Sequence, residues 1–314
     1  MNSPELNNVN ELIAWHLKEI SCLDLKTIFD HHFSTHGKQL RPLVVLKLAE
    51  CFGADPKTVV PWAATLETLH NGTLIHDDLQ DGDEVRRNKA TVWKEFGALQ
   101  AINAGDILLL SPPMLIEQLD ISEETKWKLS LIYAQSSSRI VYGQALEASL
   151  INFLGKPELS DLYYECIGAK TAELFKMCAL GVGTILNLSS EETDSLAKTW
   201  FDIGIVFQIQ DDLLDIYGDK GRKEVGCDLR EGKVSSLIVE LLNSKPELSK
   251  EISDLLKTPR DIIEEKQVNH IIELFDSEKV SQTLFKKINS YKDNIFEDNT
   301  FENNLYGYDS KGLF

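Results

Sequence analysis

Proline and glycine are scarce in this sequence, 9 and 18 among 314 residues. So little punctuation excludes the many short turns of a β sandwich or barrel and favours long helices. Positive charge is also short, with 32 Lys plus Arg against 50 Asp plus Glu and a formal net charge of −18. A surface that acidic repels nucleic acid and anionic lipid, so nucleic acid is not expected as a partner. The five cysteines, Cys22, Cys51, Cys166, Cys178 and Cys227, stand singly without a CxxC pair. Neither a disulfide framework nor a zinc site follows, and the reduced thiols of a cytoplasmic protein are expected. Also missing are a basic segment leading into an apolar one at the N-terminus and a bilayer-length apolar run uninterrupted by Asp, Glu, Lys or Arg. No leader and no membrane anchor is expected.

What is present is a 43% hydrophobic chain with apolar residues at helical spacing, as in Val44, Val45, Leu46 and Leu48, then Trp62, Leu66 and Leu69. Breakers at Gly53–Pro56, Asp81–Asp83, Ser111–Pro113, Gly155–Pro157, Asn187–Glu192, Gly218–Gly221 and Ser244–Pro246 divide it into about ten helical segments. No period-two alternation flanks an NG or DG turn, and no 20–50-residue repeat recurs. One all-α domain over residues 1–314 is expected, with a motif-bearing core at about 36–236. Lysine- and glutamate-rich satellite helices are expected at 240–295 and a polar tail at 296–314.

Chemistry concentrates first in LETLHNGTLIHDDLQDGDEVRR, where Asp77, Asp78 and Asp81 form a DDxxD cluster ending an apolar helix. Asp77 and Asp81 share a helical face. Like charges at that spacing, at the negative end of the helix dipole, are unfavourable without a cation. The cluster recurs in VFQIQDDLLDIYGD as Asp211, Asp212 and Asp215. With 23 Asp in the chain, composition alone gives one DDxxD about 0.1 times, and two about 0.01 times. Carboxylates without His or Cys neighbours suit hard divalent ions, and Mg²⁺ takes one or two carboxylates plus substrate phosphate oxygens. The expected cofactor is magnesium, about three ions bringing roughly +6 between six carboxylates and a diphosphate of roughly −3, with manganese as a substitute.

Cations flank these clusters. Lys170 lies in AKTAELF between them, and Lys223 and Lys233 follow the second. A separate basic set comprises Lys38 and Arg41 of HGKQLRP, Arg86 and Arg87 beyond the first cluster, and His70 a turn or two before Asp77. Arg presents a planar fork suited to phosphate oxygens. One metal-rich set and one purely basic set point to two phosphorylated substrates brought together.

In order and spacing, GKQLRP, LIHDDLQDGDEVRR, GQALE, KTAEL, FQIQDDLLD and GRKEVGCDLREGK resemble the trans-isoprenyl diphosphate synthases, the polyprenyl synthetase family. The resemblance implies an all-α bundle around a deep cavity, usually a homodimer. The implied reaction condenses isopentenyl diphosphate with an allylic diphosphate (dimethylallyl, geranyl or farnesyl). The allylic cation left by departing diphosphate is attacked by the isopentenyl double bond, and a proton is lost. By position, Asp77, Asp81 and Asp211 resemble direct metal ligands, and Asp78, Asp212 and Asp215 resemble ligands or carboxylates binding metal-held water. Arg86, Lys170, Gln208, Lys223 and Lys233 resemble allylic diphosphate contacts; Gly37, Lys38, Arg41, His70 and Arg87 match the isopentenyl diphosphate site. Thr171 and Gln208 resemble polar groups near the developing cation, and Gln144 of GQALE a further cavity residue. Asn88, His36 and Gln39 depart from a common Gly, a common Gly and a common basic residue. The ending DSKGLF lacks the arginines that close the site in some members.

Product length is read from the helix preceding Asp77. Gly72 and Thr73 occupy positions where bulky aromatics form a floor in related farnesyl synthases. Their small size implies an opening about one isoprene unit deep, roughly one 5.4 Å helical turn, with Leu69 or Leu66 as the next barrier. Geranylgeranyl diphosphate is the expected product, with farnesyl or longer polyprenyl diphosphates as alternatives. Remoter alternatives are a class I terpene cyclase, which pairs one DDxxD with a different metal motif, and an acidic helical metal-binding scaffold. Against an EF-hand of the latter kind, Leu79 stands where the loop needs an oxygen ligand.

Overall fold

Every position from Val60 to Leu69 is buried, Thr65, Glu67 and Thr68 included, so this helix is surrounded on all faces. The computed structural model describes residues 4–35, 37–218 and 225–297. As expected, the chain is all-α. Its helices are α1 (Pro4–Ile20), α2 (Leu23–Phe33), α3 (Leu40–Cys51), α4 (Val60–Asp81), α5 (Val92–Phe96), α6 (Ala98–Leu110), α7 (Pro113–Ile116) and α8 (Glu123–Leu150). There follow α9 (Leu159–Ile167), α10 (Glu173–Ile185), α11 (Ser190–Tyr217), α12 (Cys227–Arg230), α13 (Ser236–Ser244), α14 (Ser249–Leu256), α15 (Glu265–Ser277) and α16 (Val280–Glu297). A π-helical turn, Gly168–Ala172, stands between α9 and α10.

The chain divides into two compact units. In the first, residues 4–137 and 176–197, α4 packs against α1, α3 and α6. Its Trp62, Leu66, Leu69 and Ile75 are fully buried. The indole of Trp62 donates to the Met177 carbonyl at 3.3 Å, and a Cβ on Gly181 would overlap that indole, so glycine is what admits the ring. Helix α4 stops at Asp81 because Gly82 takes φ +70°, a left-handed cap that glycine adopts without strain.

One feature of this unit departs from the all-helical expectation. Val85–Arg86 and Lys89–Ala90 pair as a two-stranded antiparallel hairpin, β1 and β2, with Val85 opposite Ala90. Both turn residues, Arg87 and Asn88, have positive φ (52° and 63°), the geometry of a tight hairpin turn that twists with its strands. Asn tolerates this conformation better than most residues, which accounts for its standing where glycine is common.

The second unit holds residues 138–175 and 198–297 as far as they are described. Its core joins Ile205, Ile209 and Leu213 of α11 to Leu237 and Leu241 of α13, Ile252 of α14, Ile271 and Phe275 of α15 and Leu284 of α16. The helices expected as satellites at 240–295 are therefore part of the packing that holds the second aspartate-bearing helix. Of the expected tail, 298–314 lies outside the described residues, as do His36 and Lys223.

Ala98–Ile116, with a mean hydropathy of 1.3, is long and apolar enough by length and composition to cross a membrane. It includes Asp106 and the breakers Pro112 and Pro113, and it is folded as α6 and α7.

Gly181→Ala is expected to overpack the Trp62 pocket and cost about 1–3 kcal/mol, read as a lower urea midpoint at unchanged slope. A midpoint equal to wild type would show that the pocket has room.

Candidate active site

In the first unit the carboxylates of DDxxD do not act alike. His70, Thr73, Leu74, Asp77 and Asp81 form a half-buried stripe along α4 at helical spacing. Asp78 turns away from it, 1% exposed, and meets Arg86: Nε donates to Oδ1 at 2.7 Å, and Nη2 lies 2.6 Å from the same oxygen. Burial pushes the Asp78 carboxyl up to about 6, while Arg86 pulls it back. Arg86 reaches Asp78 from β1, just before the chain reverses at Arg87–Asn88 to pair β2 with β1. Asp78 and Arg86 are thus partners in an ion pair whose carboxylate is buried and whose guanidinium stays partly exposed, with donors left over for a further acceptor.

Around this pair lies a basic nest. Arg41 Nη1 is 3.2 Å from His70 Nε2. Burial, then Arg41, Arg86, Arg87 and His32, hold the His70 imidazole well below its ordinary range, so it is neutral. With Nε2 facing a guanidinium donor, the proton sits on Nδ1, and buried Nδ1 has no hydrogen-bond partner among the described residues. A buried donor of that kind suits an anionic ligand. Arg87 Nη1 donates to the Thr35 carbonyl at 2.8 Å, and its guanidinium fills the space a Cβ on Gly37 would take. Gly37 therefore admits Arg87. Lys38 is exposed, while Gln39 exchanges amide hydrogen bonds with Asn10. His32, which the sequence reading missed, joins the nest. Its Nε2 lies 3.0 Å from Asn71 Oδ1, and burial pushes its imidazole down to about 4.

The reading of Gly72 is corrected. It is buried against α6, where a Cβ would stand 3.0 Å from Leu108 Cβ and 3.2 Å from the Gly105 carbonyl oxygen. The space beside it is filled, so it marks close helix packing rather than an opening. Leu69 is fully buried, and Thr73, one turn before Asp77, donates its hydroxyl to the His70 carbonyl at 2.8 Å.

In the second unit the middle aspartate again turns inward. Asp212 is 4% exposed; Oδ2 accepts from Tyr163 Oη at 2.6 Å and from the Ser236 amide at 2.7 Å, and Oδ1 accepts from Gln208 Nε2 at 2.9 Å. Gln208 Oε1 in turn accepts from the Thr171 hydroxyl at 2.7 Å. Asp215 accepts from the Asp228 amide at 3.1 Å, in the first turn of α12. Three donors thus hold the Asp212 carboxylate. Asp211 remains half-buried. Lys170 Nζ is 2.6 Å from Glu147, and Lys233 Nζ is 3.0 Å from Glu231, which Arg260 also meets at 3.4 Å. Gln144 is half-buried on α8.

Among the described residues no three His, Cys, Asp or Glu side chains converge to hold a metal. The donor set still fits magnesium. Asp77 and Asp81 offer hard oxygens one turn apart, and magnesium completes its octahedron with phosphate oxygens and water.

The chain matches the model of the family described as polyprenyl synthetase over residues 23–275. It is 36% identical to the geranylgeranyl diphosphate synthase of Saccharolobus solfataricus over 257 residues, 79% of this chain and 75% of the relative. It is 34% identical to the farnesyl diphosphate synthase of Micrococcus luteus, over 83% and 92% of the two chains. The crystal structure of geranylgeranyl pyrophosphate synthetase from Pyrococcus horikoshii Ot3 superposes with a TM-score of 0.78 at 30% identity, covering 91% of this chain and 89% of that one.

Asp212→Ala is expected to cost about 2–4 kcal/mol by stranding Tyr163, Gln208 and the Ser236 amide, whereas Asp211→Ala costs about 1 kcal/mol or less. Denaturant melts of the two variants read the difference; equal losses would contradict the division of roles.

Proposed function

Since the chain belongs to the polyprenyl synthetase family and is an isoprenyl diphosphate synthase, we propose that it uses magnesium to join isopentenyl diphosphate to an allylic diphosphate, with geranylgeranyl diphosphate as product. One observation carries the two-substrate reading. Within the first unit stand a carboxylate pair on α4 fit for a metal-bridged diphosphate and a nest fit for a bare one, made of Arg41 on α3, Arg87 in the hairpin turn and neutral His70 on α4. Electrostatics separates the substrates: a bare diphosphate is drawn to guanidinium and repelled by carboxylates.

Asp77, Asp81 and Asp211 would hold magnesium, which would neutralise charge developing on the departing diphosphate. Lys170 adds a point charge to the same leaving group. Arg41, Arg87 and His70 Nδ1–H anchor isopentenyl diphosphate and orient its double bond toward the allylic carbon. Thr171 and Gln208, locked to each other and through Asp212 to Tyr163, present fixed dipoles that need no reorganisation as cationic charge develops. The released diphosphate takes up the proton lost after carbon–carbon bond formation.

Residue Thr73, rather than Gly72, shares the Asp77 face, so the chain-length barrier is assigned to the Thr73 layer and the side chains beneath it. Incubation with magnesium, labelled isopentenyl diphosphate and each starter is expected to give a twenty-carbon product, and Thr73→Phe to shorten it by one unit or more. Chelation by EDTA or Asp77→Ala should lower turnover about 100-fold or more. Unchanged turnover in both would sink the metal assignment, and an unaltered product in Thr73→Phe would move the floor elsewhere.

A homodimer is proposed on the first unit's exposed apolar residues, Leu99 (72%), Ile102 and Leu110 (78%) of α6 with Trp127 (64%) and Leu131 of α8, and a cytoplasmic location on the free cysteines. Sedimentation equilibrium should read twice 35.4 kDa, and Leu110→Glu with Trp127→Glu should give the monomer; a wild-type monomer would contradict the assignment.

A further inference from the structure

Helix α8 presents Arg139, Gly143 and Glu147 at four-residue intervals, one face running along the helix. All three meet the π-helical turn Gly168–Ala172 or its flank. Arg139 Nε lies 3.7 Å from Glu173 Oε2, and Glu147 Oε2 accepts from Lys170 Nζ at 2.6 Å. Between them a Cβ on Gly143 would stand 2.5 Å from the Lys170 amide nitrogen and 2.9 Å from Lys170 Cα, a clash with backbone that side-chain motion cannot relieve. The Gly143 carbonyl accepts from Cys166 Sγ at 3.4 Å. Glycine in the middle of a 28-residue helix weakens it, so its use here is to let two backbones touch.

The turn it touches is unusual. The Glu173 amide reaches back five residues to the Gly168 carbonyl, so the helix carries one extra residue in this turn. Such turns are rare, re-aim the side chains they carry, and persist where neighbours hold them. The re-aimed side chains are Lys170 and Thr171, the two this region contributes to the reaction. Sequence reading quoted GQALE but used only Gln144; its glycine and glutamate make the contacts.

We propose that Glu147 is a positioning residue for Lys170, acting with Gly143 and Arg139 as a three-point support for the π turn. This rests on the reading of Lys170 as an allylic diphosphate contact. Lysine carries its ammonium on a four-carbon stem with many rotamers. An ammonium has three donors and can hold a carboxylate and a phosphate oxygen at once, so Glu147 fixes the group without removing it from use. Ordering the stem before substrate arrives lowers the entropy lost on binding. Lys170 and Glu147 are 21% and 23% exposed, sheltered enough for the pair to persist.

A double-mutant cycle with both Michaelis constants measured tests this. Glu147→Gln is expected to raise KM for geranyl diphosphate about three- to tenfold and leave KM for isopentenyl diphosphate unchanged. In a Lys170→Met background the same substitution should change either constant by less than about twofold. Where the glutamine variant melts below assay temperature, Glu147→Asp, which retains the charge, takes its place in the cycle with a smaller effect of the same pattern. Equal fold-losses in both backgrounds, or equal rises in both constants, would overturn the positioning role. A wild-type chain without turnover on any starter would instead overturn the functional reading on which it rests.

Discussion

A carboxylate removed from water needs a cation or a set of donors, and that requirement organises both aspartate clusters. Asp78 is satisfied by Arg86, and Asp212 by Tyr163, Gln208 and the Ser236 amide. Each inward aspartate ties the end of its helix to a distant part of the same unit: the β1–β2 hairpin in one case, α9 and the start of α13 in the other. Its neighbours one residue before, Asp77 and Asp211, stay half-buried. Two adjacent aspartates on a helix point about 100° apart, so the DD dipeptide puts one carboxylate into the protein and leaves the other half-buried. Conserving charge while dividing its use is a consequence of helical geometry.

The basic nest follows the same logic with opposite sign. Arg41 and Arg87 both feel the buried Glu67, and burial, aided by the neighbouring guanidinia, keeps His70 and His32 neutral. An anion bound there gains from every guanidinium and from the His70 Nδ1 donor. The network Thr171–Gln208–Asp212–Tyr163 adds rigid dipoles in the other unit. Both arrangements are costly without ligands and are maintained by packing, as in the wholly buried Val60–Leu69 stretch and the α11–α16 core.

Much of this was legible in the sequence because it is local. The helices, their breakers and the two DDxxD spacings depend on residues within one or two turns of each other, and the family motifs stand in plain order. What was not legible depends on tertiary contact. Nothing in the local pattern says that Asp78 takes Arg86, because that pairing requires the hairpin at Arg87 and Asn88. Nothing near Gly72 says that Leu108, 36 positions later, fills the space beside it. Nor does GQALE reveal that its Gly143 faces a backbone and its Glu147 a lysine. His32 carried a weak signal in the His31–His32 pair, and Tyr163 in Tyr163–Tyr164, but neither lies in a motif. The sequence reading set Asp77, Asp81 and Asp211 apart from Asp78, Asp212 and Asp215, but it could not name the partners that Asp78 and Asp212 take in the fold.

The central claim, that each cluster divides into a ligand-facing and a fold-holding aspartate, is tested most directly by magnesium-linked binding of an unreactive thio analogue of geranyl diphosphate. Calorimetric titrations with and without magnesium, on Asp77→Asn, Asp78→Asn, Asp211→Asn and Asp212→Asn, isolate the metal-dependent part of the affinity. The account predicts that the Asp77 and Asp211 variants lose it, whereas the Asp78 and Asp212 variants keep it at temperatures where they remain folded. Equal loss in all four folded variants would contradict it.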